Sequence, residues 1–116
     1  MTKPLLIVAL LLSFAAPAGA RTIIELERAF AVTLPSVKLP AGDVGTVSFK
    51  TCADCAYRTH RTMATTTYEA NGRSLPLPEF LAVVDGIERA GKQDDAVVAV
   101  FLAIDTERVT RVTLNY

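Results

Sequence analysis

Between Tyr57 and Ala70 the chain carries five threonines, at positions 59, 62, 65, 66 and 67, and it then reads Asn71-Gly72. β-Branched side chains are stiff about their first torsion and suit a pleated surface better than a helix. Asn-Gly supplies two consecutive residues that tolerate positive φ, as a tight hairpin demands. The segment therefore predicts one long strand, or two short ones, up to Ala70, and a turn at Asn71-Gly72. A short return strand over Arg73–Leu77 follows, limited by Pro76 and Pro78. An all-helical fold is excluded by this stretch alone.

The other elements follow from periodicity. Pro40-Ala41-Gly42-Asp43 reads as a turn. From Thr46 to Thr51 the residues alternate, with Val47 and Phe49 on one face and Ser48 and Lys50 on the other, the mark of a half-buried strand. Phe80, Leu81, Val84, Ile87 and Ala90 recur at helical spacing, after a proline suited to a first turn and before Gly91. They predict a helix over 79–90 whose apolar face lies on the next strand. That strand is the valine-rich run Ala96–Ile104, which reads as central and buried on both faces. A turn at 105–108 then joins it to Val109–Tyr116, with Val112, Leu114 and Tyr116 on one face. Residues 21–34 fit a short helix or an extended arm that leads into a strand, which Pro35 ends. The expected fold class is α+β: a small twisted antiparallel sheet, or a barrel-like sheet, of four or five strands with one packed helix.

The first twenty residues read as a signal peptide. Lys3 is the positive start, Leu5–Phe14 is apolar apart from Ser13, and Ala18-Gly19-Ala20 is a small-residue cleavage site. The apolar run is shorter than the roughly 20 residues a membrane span needs. Cleavage after Ala20 would leave a single domain over 21–116, 96 of the 116 residues. Such a domain buries about 60–65% of its unfolded surface, a modest core. Eleven basic side chains would face twelve acidic ones. That balance argues against nucleic acid, or a membrane surface, held by bulk charge. The expected location is periplasmic or secreted.

Both cysteines, Cys52 and Cys55, lie in the segment expected to be exported. In an oxidising compartment two near thiols form a disulfide, so a structural staple is the first reading. A loop this short gives a bond worth at most about 2 kcal/mol. Two other chemistries use the same spacing. Cys-x-x-Cys is the motif of thioredoxin-like redox proteins, in which the first thiolate sits at a helix N-terminus. Thr51-Cys52-Ala53-Asp54-Cys55-Ala56 is similar to the Thr-Cys-x-x-Cys-Ala signature of heavy-metal-associated domains. That resemblance covers six residues and implies copper(I) held by two thiolates. It departs from the signature at Lys50, where those domains carry methionine, and in the strand-forming residues that follow. A zinc site would recruit His60 as a third ligand.

His60 is the only histidine, and its simplest reading is a solvated strand position. Lys50, Arg58, His60, Arg61 and Arg73 make the middle of the chain mildly basic, a docking face for an anion only if they share one side. No catalytic cluster and no cofactor pattern is evident, so the catalytic set is empty. The expected role is a non-enzymatic binding or accessory domain, with another cell-envelope protein as the partner class. The alternative is a thiol–disulfide redox or soft-metal handling protein using Cys52 and Cys55.

Overall fold

The computed structural model describes residues 27–116. The leader, its cleavage site and the choice between helix and arm over 21–26 lie outside the described residues. In order, the elements are β1 (Glu27–Thr33), β2 (Val37–Lys38), β3 (Thr46–Phe49), β4 (Arg58–Ala70), β5 (Arg73–Leu75), α1 (Leu77–Arg89), β6 (Val97–Ala103) and β7 (Val109–Asn115). The fold is mixed α+β with one helix and one curled open sheet. That sheet has seven strands, more than the four or five expected.

The strand order is β1-β6-β7-β4-β3-β2, with β5 paired to β4. One pairing is parallel, β4 with β7, which corrects the expectation of an antiparallel sheet. The helix and β6 lie between these two strands in sequence and form the crossover that a parallel pair requires. The curl has a simple cause. β1 and β2 stand at opposite ends of the strand order, yet only the 3-10 turn Leu34–Ser36 separates them. Flat, the ends of a six-strand path would lie about 24 Å apart, since neighbours are spaced by about 4.8 Å. A three-residue link spans only about half of that. The sheet must bend until its ends approach, and Phe30 of β1 meets Phe49 of β3 with ring centroids 5.2 Å apart.

The concave face is the core. Val47, Phe49, Val98, Val100, Val109, Val112 and Leu114 are fully buried there. Helix α1 adds Leu77, Phe80, Val84 and Ile87, while Leu81 is half-buried. It lies chiefly on β4 rather than on β6 as expected, and Phe80 packs on Tyr68 at 5.4 Å. The helix begins two residues earlier than the sequence pattern suggested. Pro78 in the first turn needs no donor, and the Phe80 N–H reaches the Pro76 carbonyl at 2.9 Å. Its end is a Schellman cap. Gly91 has φ +71, Lys92 N–H bonds the Ile87 carbonyl and Gly91 N–H bonds that of Glu88. Gly86, in mid-helix, weakens α1 by about 1 kcal/mol relative to alanine. No contact requires it, because an added Cβ would meet nothing within 4 Å.

β4 is not regular. Thr62 pairs with Val109 but Thr67 pairs with Arg111, so four residues of β4 stand opposite Thr110 alone. Two buried threonines repair the ladder. The Thr66 hydroxyl accepts the Met63 N–H at 2.8 Å and donates to the Val109 carbonyl at 2.7 Å. The Thr62 hydroxyl accepts the Gly45 N–H at 2.8 Å.

β6 is central, as expected, but buried on one face only. Val98, Val100 and Leu102 point into the core, whereas Ala99 and Phe101 are half-buried and Val97 is 41% exposed. Among the described residues no second layer covers that side. Instead the Arg111 guanidinium lies 4.0 Å from the Phe101 ring and pairs with Glu27 and Glu69 at 3.6 and 3.9 Å. Tyr116 does not continue the buried face of Val112 and Leu114, and is 58% exposed.

Candidate functional site: a cationic face beside the cysteine loop

Cys52 and Cys55 lie in the loop between β3 and β4, at disulfide distance, with Cα atoms 5.1 Å apart. The loop is a tight turn closed by Cys55 N–H on the Cys52 carbonyl at 3.2 Å. Cys52 is exposed and Cys55 half-buried. The chain leaves the loop into a strand, so the segment that follows places no helix N-terminus at either sulfur. One cation is near: the Lys50 ammonium donates to the Ala53 carbonyl at 3.4 Å. Thr51 Oγ1 lies 3.8 Å from the Cys55 sulfur.

His60 does not join the cysteines. Among the described residues no three His, Cys, Asp or Glu side chains are grouped to hold a metal ion. The imidazole is half-buried rather than solvated, and it stacks on Phe49 at 5.8 Å between centroids. Its Nδ1–H donates to the Glu107 carbonyl at 3.0 Å, which ties β4 to the β6–β7 turn. Glu107 has φ +58 in that turn. Nε2 is buried and unpaired.

Register sorts the basic residues onto two sides. Lys38 is paired with Ser48, Ser48 with Thr59, and Thr46 with Arg61, so Lys38, Ser48, Thr59 and Arg61 share the convex face. The Ser48 and Thr59 hydroxyls meet there at 2.8 Å. Arg58 and His60 belong to the opposite, concave side, where Arg58 covers the Phe30 and Phe49 rings at 4.6 and 5.8 Å. Arg73 stands apart, at the start of β5. The five basic residues of the middle segment therefore form no single patch.

A smaller cluster does form, and it includes a residue the sequence did not single out. The ammonium groups of Lys38 and Lys50 lie 4.3 and 5.3 Å from the centroid of the Tyr57 ring. Tyr57 is 40% exposed. Among the described residues neither lysine is ion-paired, nor is Arg61. A ring face attracts a cation by roughly 0.5–1 kcal/mol at exposed sites. It does not neutralise two positive charges, so the pair still attracts an anion. Lys50 also lines a cleft of about 390 Å³ between the β1–β2 corner and the cysteine loop, with Thr33, Ser36, Thr51 and Cys52. No signal in the sequence marked Lys38, because its place depends on a two-residue strand and its register.

Away from this face, the Tyr68 hydroxyl is buried without a hydrogen-bond partner. Burial pushes its pKa above the ordinary tyrosine value, the nearby Thr62 hydroxyl opposes that, and Asp43 adds to it.

Comparison with protein-family models, with curated proteins and with solved structures finds no match. Among the described residues no helix is long and apolar enough to cross a membrane.

A bond across so short a loop is worth at most about 2 kcal/mol. Changing both Cys52 and Cys55 to serine is expected to lower unfolding free energy by no more than about 2 kcal/mol. Chemical denaturation of the two proteins measures it. A loss well beyond that figure would mean that the loop organises more of the fold than its own turn.

Proposed function

We propose that this protein is a small exported, non-enzymatic binding domain, and that its convex β2–β3–β4 face takes an acidic segment of another cell-envelope protein. One observation carries the reading: two ammonium groups, neither ion-paired among the described residues, converge on one exposed tyrosine ring, on the face that also carries Arg61 and the paired Ser48 and Thr59 hydroxyls. Carboxylates bind such groups through charge-assisted hydrogen bonds. Export by cleavage after Ala20 belongs to the same proposal, as does a structural Cys52–Cys55 disulfide.

Connectivity supports it by analogy at the level of the fold. Taken as one bent strand, Glu27–Lys38 starts a five-segment path in which the third and fifth segments are parallel and the helix follows the third. We read this as a barrel-like sheet resembling a partly open Greek-key barrel of the OB type. In such barrels the face of the second and third strands, with the loops that follow the first and fourth strands, carries ligands. Here those strands are β3 and β4, which hold Ser48, Thr59 and Arg61 and are bounded by Lys50 and Tyr57. The rival redox reading is favoured by the exposure of Cys52 and by the Lys50 ammonium beside the loop. It lacks the helix N-terminus that activates a thiolate.

The test is calorimetric titration with hexaglutamate at low ionic strength. Binding should weaken at least tenfold when Lys38 and Lys50 are both changed to alanine, and should weaken with added salt. Arg73→Ala, away from the face, should bind as the unchanged protein does. No binding, or equal binding by the double variant, would refute the assignment.

A further inference from the structure

We infer that the outer side of α1 is an interface through which two copies of this chain associate. A groove of about 490 Å³ runs between α1, the turn after it and Tyr116. Val83, Gly86, Ile87 and Ala90 form its helix side. Two features of its walls bear on what it receives. Gly86 weakens α1, the one α-helix among the described residues, although its φ is not left-handed and a side chain there would meet nothing within 4 Å. Its absent Cβ deepens the groove and serves no contact within the fold. The opposite wall is held in place from behind. Asn71 accepts the Tyr116 N–H at 3.0 Å and donates to the Tyr116 carbonyl at 3.2 Å, so the Tyr116 backbone is held beside the groove while its side chain is 58% exposed.

Charge selects the occupant. The groove carries one cation, Lys92, and one anion, Asp95, and neither is ion-paired among the described residues. A purely acidic or purely basic partner would leave one of them unmatched. A second copy, related by a two-fold axis, matches both: Lys92 of each faces Asp95 of the other, because an isologous interface pairs each residue with its counterpart's neighbour. The apolar helix side then packs against its equivalent, and Gly86 lets the two backbones approach closely. This inference does not rest on the cationic face of β3 and β4.

Sedimentation velocity over a wide concentration range tests it on the purified protein. The unchanged chain should pass from monomer to dimer as concentration rises. Gly86→Leu fills the groove with a better helix former, so it should fold at least as well and stay monomeric. Lys92→Asp should weaken association at least tenfold, and Lys92→Asp combined with Asp95→Lys should restore it. The variant with Lys38 and Lys50 changed to alanine should dimerise normally, which separates this result from the anion-binding one. A monomer at every concentration would overturn the inference. So would a dimer indifferent to both Gly86→Leu and Lys92→Asp. Native mass spectrometry that finds a monomer carrying a small apolar molecule would also overturn it.

Discussion

Replacing Val84 by aspartate is expected to lower the thermal unfolding midpoint by roughly 12–40 °C. Val84 is 7% exposed, on the face of α1 that joins the core together with Phe80 and Ile87. A carboxylate there would lie in an apolar core, and an uncompensated buried charge costs about 3–5 kcal/mol. A domain of this size has about 5–15 kcal/mol of stability in total. Ala82→Asp, on the exposed side of the same helix, provides the control and should melt near the unchanged protein. Circular dichroism of the two variants checks the prediction. Equal melting curves would mean that α1 does not seal the core.

The second large effect lies in β4. Thr66→Val keeps the shape of the side chain but removes the hydroxyl that serves both the Met63 N–H and the Val109 carbonyl. Each buried group left unpaired costs about 1–3 kcal/mol. Thr66→Ser keeps both bonds and loses one methyl, about 0.8 kcal/mol. Denaturant titration should therefore rank the serine variant clearly above the valine variant. The reverse order would show that Thr66 acts by packing and that the irregular stretch of β4 holds without its hydroxyl.

These two positions illustrate what can be read from a chain alone. Local rules were enough for α1, because its apolar residues share a stripe and Gly91 stops it. They were enough for the β4–β5 hairpin, where Asn71 and Gly72 adopt φ of +48 and +85. Pro35 marked an end to the first strand, but nothing local said that the chain would resume at Val37 on the far edge of the sheet. The parallel β4–β7 pair joins residues more than forty positions apart and leaves no periodic trace. The apolar run over β6 was over-read as buried twice, since the pattern reports hydrophobicity and not whether a second layer exists. Arg111 lies over Phe101 on the side left open. The threonines carried a clear strand signal, while the hydrogen bonds of Thr62 and Thr66 depend on a bulge that only pairing creates.

The candidate site was legible in part. The cysteine loop was evident from spacing and the excess of cations in the middle of the chain from composition. Which cations act together is decided by register: pairing with Ser48 puts Lys38 on the convex face, while Arg58 and His60 fall on the other. Tyr57 attracted attention only as the start of a strand, yet its ring is where Lys38 and Lys50 meet.

The Lys38, Lys50 and Tyr57 cluster is the proposed meeting place with an acidic partner. The most direct measurement follows backbone amide and lysine side-chain resonances while hexaglutamate is added at low salt. Concentration-dependent shifts are expected at Lys38, Ser48, Lys50, Tyr57, Thr59 and Arg61, with α1 and the β5 hairpin unmoved. Shifts centred on α1 or Arg73, or none on the β2–β3–β4 face, would contradict it.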